Sequence, residues 1–67
     1  MARASDAAYE TIKGWIQSAS IPPGSLIDEV EAARRLAMSR TPVREALLRL
    51  QSEGFVEIAR GKGIRVL

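Results

Sequence analysis

Arg40 and Arg44, with Thr41 between them and Ser39 just ahead, are the side chains in this sequence best suited to recognition chemistry. A guanidinium group is a planar, permanently charged fork of N–H donors that can grip a guanine edge or a phosphate with two bonds. From Ser39 to Leu50, the apolar residues Val43, Ala46, Leu47 and Leu50 recur at i, i+3, i+4 and i+7, the spacing of one buried helical face. At roughly 100° per residue, Arg40, Thr41 and Arg44 fall together on the opposite side. A helix packed from behind, with guanidinium groups on its first turns, suits the major groove of duplex DNA. Glu45 adjoins Arg44 and lies at i+5 from Arg40, so it is badly placed to pair with either within the helix. Cations at a helix N-terminus also oppose the macrodipole. Two unpaired arginines there cost helix stability, and recognition accounts for that cost. Ser39, Thr41 and the first free N–H groups of the helix suit phosphate, a role compatible with ordinary capping.

A second basic group follows. Val56 and Ile58 alternate with Glu57 and Ala59, and Ile64 and Val66 alternate with Arg65, the pattern of two half-buried strands. Between them Arg60-Gly61-Lys62-Gly63 makes a tight basic tip, whose glycines allow a turn and whose cations can follow a groove. Alone this is a commonplace hairpin loop; directly behind a basic helix it reads as a wing. Arg34, Arg35, Arg49 and Arg65 are weaker phosphate candidates and read better as solvated surface. Tyr9 and Trp15 read as packing residues, because base-stacking platforms normally gather several aromatics.

The bulk properties narrow the classes of function. Sixty-seven residues make one small domain, which buries only about 60% of its unfolded surface and favours work on an outer face over an enclosed catalytic cleft. An apolar share of 46% and a charged share of 27% are ordinary for a globular protein. The absence of cysteine and histidine excludes disulfides and thiolate or imidazole metal sites. Acid–base or nucleophilic chemistry would rest on scattered carboxylates, Ser, Lys or Tyr, and no phosphate-binding glycine loop of either common type is present; no enzyme and no cofactor is expected. With no long apolar run and no signal peptide, a cytoplasmic location is expected. The net charge of +2 conceals an asymmetry. Residues 1–33 set Arg3 and Lys13 against five acids, a balance of −3, whereas residues 34–67 set eight cations against Glu45, Glu53 and Glu57, a balance of +5. A polyanionic partner for the second half follows.

The elements that must position these groups are legible as three helices. Residues 1–4 are expected to be disordered, and the first helix is expected to start near Ser5 or Asp6 with an apolar stripe of Ala8, Ile12, Trp15 or Ile16, and Ala19. Ile21-Pro22-Pro23-Gly24 ends it. Ser25-Leu26-Ile27 has room for one short strand. Asp28 opens a second helix as an N-cap, with Glu31 completing a capping box and Val30, Ala33, Leu36 and Ala37 on its apolar side. That helix ends around Ala37-Met38. Within about three residues the third begins, with Pro42 in its first turn, and it ends at Glu53-Gly54. So short a turn gives a steep helix-turn-helix crossing. The expected fold is α+β: a winged helix-turn-helix of three helices plus a small antiparallel β-hairpin wing. Leu36, Leu47, Leu50, Phe55, Ile58 and Val66 are its expected core.

Pro22-Pro23-Gly24-x-x-Leu/Ile, the acid-capped second helix, the run Ser39-Arg40-Thr41-Pro42-Val43-Arg44-Glu45-Ala46-Leu47, and Glu53-Gly54-Phe55-Val56 together resemble the N-terminal domain of GntR-family bacterial transcription regulators, with the FadR-like subgroup the nearest fit. The resemblance covers residues 8–67. It implies a domain that binds a palindromic double-stranded DNA operator as part of a homodimeric repressor or activator. It also implies that Arg40, Thr41 and Arg44 contact bases or phosphates in the major groove and that the wing at 60–63 approaches the minor groove. DNA-binding residues are thus expected at Ser39, Arg40, Thr41, Arg44, Arg60, Gly61 and Lys62. Two positions depart from the family's pattern: Ala37 stands where glycine is common, which implies a slightly different inter-helix turn, and Val30 replaces a basic residue that contacts phosphate in some members. Family members normally carry a C-terminal effector-binding and dimerising domain, absent from these residues, so an isolated DNA-binding unit is expected. The rival reading is a winged-helix protein-interaction module without DNA binding; a small RNA-binding protein is disfavoured by the lack of clustered aromatics.

Overall fold

A computed structural model describes residues 3–59 and 63–67, and among these the chain runs α1 (Ala4–Gln17), β1 (Leu26–Ile27), α2 (Glu29–Leu36), α3 (Arg40–Ser52), β2 (Val56–Ala59) and β3 (Gly63–Val66). This is the expected winged helix-turn-helix, and the short extra strand at 26–27 is present. The strand order is β1-β3-β2, antiparallel throughout. Ile64 lies opposite both Ile27 and Ile58, and Val66 lies opposite Val56. Because side chains alternate across a strand, this register turns Ile64 and Val66 inward and leaves Glu57 and Arg65 paired on the outer face.

The buried face of α3 is the centre of the core. Val43, Ala46, Leu47 and Leu50 are 0–1% exposed, as their spacing requires. They pack against Ala8, Tyr9 and Ile12 of α1, Ala32 and Ala33 of α2, and Ile27, Val56, Ile64 and Val66 of the sheet. Leu36, Phe55 and Ile58 lean on this cluster while remaining partly buried.

Several local boundaries differ from the expectations. The first helix starts earlier, at Ala4, with Arg3 as its extended N-cap residue. Asp6 is not the cap; it sits a turn inside, and its carboxylate accepts the Arg3 N–H at 3.2 Å. The helix also stops before the prolines. Ser18 and Ala19 donate their N–H groups to Gly14 and Ile16, the Ser18 hydroxyl donates to the Trp15 carbonyl, and Ala19 takes φ 62°. Ala19 is consequently exposed and outside the apolar stripe. In α2 the Asp28 carboxylate accepts the N–H groups of Val30 and Glu31 at 2.9 and 3.3 Å, but Glu31 turns to Arg34 instead of closing a capping box. Val30 is 56% exposed rather than core. The buried stripe of α2 is Ala32 and Ala33 with Leu36 beside them, and Val30 lies well off its centre at ~100° per residue.

The turn between α2 and α3 is three residues, Ala37 to Ser39. The N–H of Ala37 returns to the Arg34 carbonyl and that of Met38 to the Ala33 carbonyl, a Schellman closure with Ala37 left-handed at φ 54°. The end of α3 repeats it: Gly54 N–H to Gln51, Phe55 N–H to Leu50, and φ 84° at Gly54. Ala37 therefore keeps the left-handed turn that glycine makes without steric cost.

Two stability measurements check this packing. Leu47→Ala empties a fully buried site at the middle of α3 and is expected to cost about 2–5 kcal/mol in chemical denaturation; a negligible loss would contradict the assignment of that face. Ala37→Gly relieves an exposed left-handed alanine and is expected to raise stability by about 0.5–1 kcal/mol, more than the entropy glycine adds to the unfolded chain. A lower stability would mean that the turn does not strain its alanine.

Candidate nucleic-acid interface

Arg40, Thr41 and Arg44 are brought together on the outward side of the first turns of α3, where they line a shallow depression together with Glu29. Ser39 precedes them as the exposed, extended N-cap residue at φ −70° and ψ 168°, and its hydroxyl makes no capping hydrogen bond. That half of the capping expectation is not met. Pro42 takes the third helical position, where an N–H has no intrahelical acceptor anyway. The N–H groups of Arg40 and Thr41 remain at the open end of the helix, directed along the positive end of its dipole.

The base of the hairpin adjoins this face. Ala59, which ends β2, pairs with Gly63, which begins β3 at φ 82°. Both line a cleft that is shared with Glu29, Arg44 and Leu47. The front of α3 and the root of the hairpin thus border one continuous surface. Arg60, Gly61 and Lys62, the expected wing-tip contacts, lie outside the described residues.

The expectation that Arg40 and Arg44 lack partners is corrected. Both point to one carboxylate in another helix: Glu29 Oε1 lies 3.7 Å from Arg40 Nε, and Glu29 Oε2 accepts from Arg44 Nη1 at 3.3 Å. The arginine side chains are 63% and 64% exposed, whereas that of Glu29 is only 15% exposed. Intrahelical spacing was blind to this contact, since Glu29 precedes Arg44 by 15 residues and crosses the turn. A different signal was present. Glu29 stands at i to Ala32, Ala33 and Leu36 at i+3, i+4 and i+7, a carboxylate in a position that the helical repeat turns inward.

Among the described residues, Arg34, Arg35, Arg49 and Arg65 are occupied elsewhere. Arg34 pairs with Glu31 on the solvated side of α2, holding the Glu31 carboxyl below its ordinary range through their hydrogen bond. The Arg35 guanidinium lies over Trp15, 4.3 Å from the ring centroid. Arg49 lies 3.8 Å over Tyr9 and close to Asp6 and Glu53, on the side of α3 that meets α1. Arg65 pairs with Glu57 across the hairpin. Tyr9 is 3% exposed and its hydroxyl donates to Glu53, so it packs rather than offering a stacking face. Among the described residues, the cations gathered at the open end of α3 are Arg40 and Arg44.

Comparison with known proteins places this arrangement. Residues 4–66 match the model of the gntR family of bacterial regulatory proteins. An HTH-type transcriptional regulator of Agrobacterium vitis is 52% identical over 58 residues, covering 87% of this chain and 34% of that protein. The Uxu operon transcriptional regulator of Escherichia coli is 50% identical over 46 residues, covering 69% of this chain and 18% of that protein. The chain thus spans about a third or less of the length of these curated relatives. Among solved structures, the DNA-binding domain of AraR in complex with its operator ORE1 superimposes with a TM-score of 0.90 at 29% identity, covering all of this chain and 83% of that one. The fold, the helix pair joined by a three-residue turn and the match along nearly the whole sequence lead to one conclusion: this chain belongs to the gntR family of bacterial regulatory proteins.

Proposed function

We propose that this chain is the DNA-reading domain of a bacterial transcription regulator, binding duplex DNA sequence-specifically with α3 in the major groove. The observation that carries the reading is the gathering of Arg40, Thr41 and Arg44 on the exposed front of a helix whose back is fully buried. Such a helix can enter a groove about 12 Å wide without loosening the core. Arg40 and Arg44 supply the donors for guanine edges or phosphates, and Ser39, Thr41 and the open N–H groups hold the backbone. Arg60, Gly61 and Lys62 extend the contact to the minor groove. The AraR domain, which shares this fold, is in complex with a DNA operator, which supports a DNA-binding role for this one. The run from Ser39 to Leu47 favours the FadR-like subgroup within the family. In the intact regulator the domain acts in a homodimer on a palindromic operator, in the cytoplasm, and a second domain binds the effector.

Selection from a randomised duplex library, followed by salt titrations on the enriched and a scrambled duplex, tests the reading. Arg44→Ala is expected to weaken the enriched duplex at least about tenfold more than the scrambled one, as loss of a base contact does. Lys62→Ala is expected to weaken both alike and to reduce the salt slope by about 1. Arg49→Ala should lower the thermal midpoint, through loss of its packing on Tyr9, and leave both affinities unchanged. Equal losses for Arg44→Ala on both duplexes would make Arg44 a phosphate clamp. No duplex binding by the wild type would favour a protein-interaction module.

A further inference from the structure

We infer that Gln51 is a positioning residue of this interface: a side chain of α3 that fixes the hairpin at a set place along the helix, so that the wing and the front of α3 reach DNA together. The inference rests on the DNA-reading role proposed for α3 and the hairpin. Its starting point is an edge. Among the described residues, β2 is an outer strand of the sheet, paired with β3 alone. Such an edge carries N–H groups that no strand takes up. One of them, the N–H of Ile58, is taken up by the last turn of α3 instead: it donates to Oε1 of Gln51 at 2.7 Å. Among the described residues, this is the hydrogen bond that joins α3 to β2.

The place of Gln51 on the helix makes this bond more than edge protection. Gln51 follows Arg44 by seven residues, which returns its side chain to nearly the same side of α3 two turns on, about 10 Å along the axis. From there β2 runs back towards the front: Ala59, its last residue, shares a cleft with Arg44 and Leu47. The hairpin therefore lies along the side of α3 that carries Arg44, and the Gln51 amide pins it one residue short of the end of β2. The start of the strand is held in other ways, by the buried Val56 and by Phe55, whose N–H returns to the Leu50 carbonyl. Further along, Glu57 is exposed and Ile58 and Ala59 are only half-buried, so packing restrains them less. A two-stranded ribbon twists readily, and a tilt at Ile58 grows with distance from the base. Contacts made from two elements at once require both to be held to within about 0.5 Å. The acceptor is also neutral, so it holds the strand without adding a negative charge beside a surface that meets phosphates.

The test compares wild type, Gln51→Leu, Gln51→Glu, Lys62→Ala and the Gln51→Leu/Lys62→Ala double variant, below each variant's thermal midpoint. Leucine keeps the helix propensity and removes the acceptor, whereas glutamate keeps an acceptor of the same reach. In the free protein, the Ile58 amide is expected to exchange with solvent about tenfold faster in Gln51→Leu, the scale of one lost hydrogen bond, and near the wild-type rate in Gln51→Glu. On the enriched duplex Gln51→Leu is expected to bind about three- to tenfold more weakly, with the salt slope reduced by about 1, as loss of one phosphate contact does. Lys62→Ala should then cost the Gln51→Leu protein less than about twofold, since both changes act through the wing. A purely structural glutamine would lower the thermal midpoint and leave the salt slope and the cost of Lys62→Ala as in the wild type. That result would overturn the inference and leave the DNA-reading role of α3 standing. So would an unchanged Ile58 exchange rate in Gln51→Leu, or a Lys62→Ala that costs the wild type nothing. A wild type that enriches no sequence would overturn the DNA-reading role itself, and the inference with it.

Discussion

The burial of Val43, Ala46, Leu47 and Leu50 makes one helix serve as the centre of the core and the front of the molecule. In so small a domain there is little apolar surface to spare, so the same thirteen-residue helix meets α1, α2 and the sheet along its back. Everything else follows from keeping that back face engaged. The three-residue turn after α2 fixes the approach of its first residue, and the Schellman closure at Gly54 fixes its last. Phe55 then folds towards the core, and β2 is launched in the register that buries Val56 opposite Val66. The front of α3 is left free of packing duties because its back performs all of them.

That arrangement creates an electrostatic difficulty, which α2 resolves. Arginines on the first turns of a helix oppose its dipole, and two of them repel each other. α2 opens beneath the start of α3, and its first residue, Glu29, meets both. The capping of α2 by Asp28 is therefore linked to the charged front of α3, since it sets where Glu29 enters the helix. Arg34, Arg35, Arg49 and Arg65 are drawn into local contacts with Glu31, Trp15, Tyr9 and Glu57, which leaves Arg40 and Arg44 as the cations gathered at the open end of α3 among the described residues.

Sequence patterning revealed the two faces of α3 because a single uninterrupted period of thirteen residues carries both, and Gly54 marks its end unmistakably. It also placed the helix-turn-helix, β1 and the hairpin strands. It failed where the determining contact is distant in sequence or the window is short. α2 has only eight residues, and a stripe set on Val30 fits it nearly as well as one set on Glu29 until the neighbouring helices decide. The Glu29–Arg44 contact spans a turn and two helices, outside any intrahelical rule. The early end of α1 depends on hydroxyl and backbone bonds around Ser18 and Ala19, which compete with helix ahead of the more conspicuous prolines.

We propose that the front of α3 and the hairpin form the DNA surface while the α1 side does not. Titrating isotopically labelled protein with the enriched duplex and following backbone amide shifts tests it directly. The largest changes are expected at residues 39–44 and 60–63, with Glu10, Lys13 and Arg35 nearly unmoved. Changes concentrated around Trp15, Leu26 and Arg35 would contradict it.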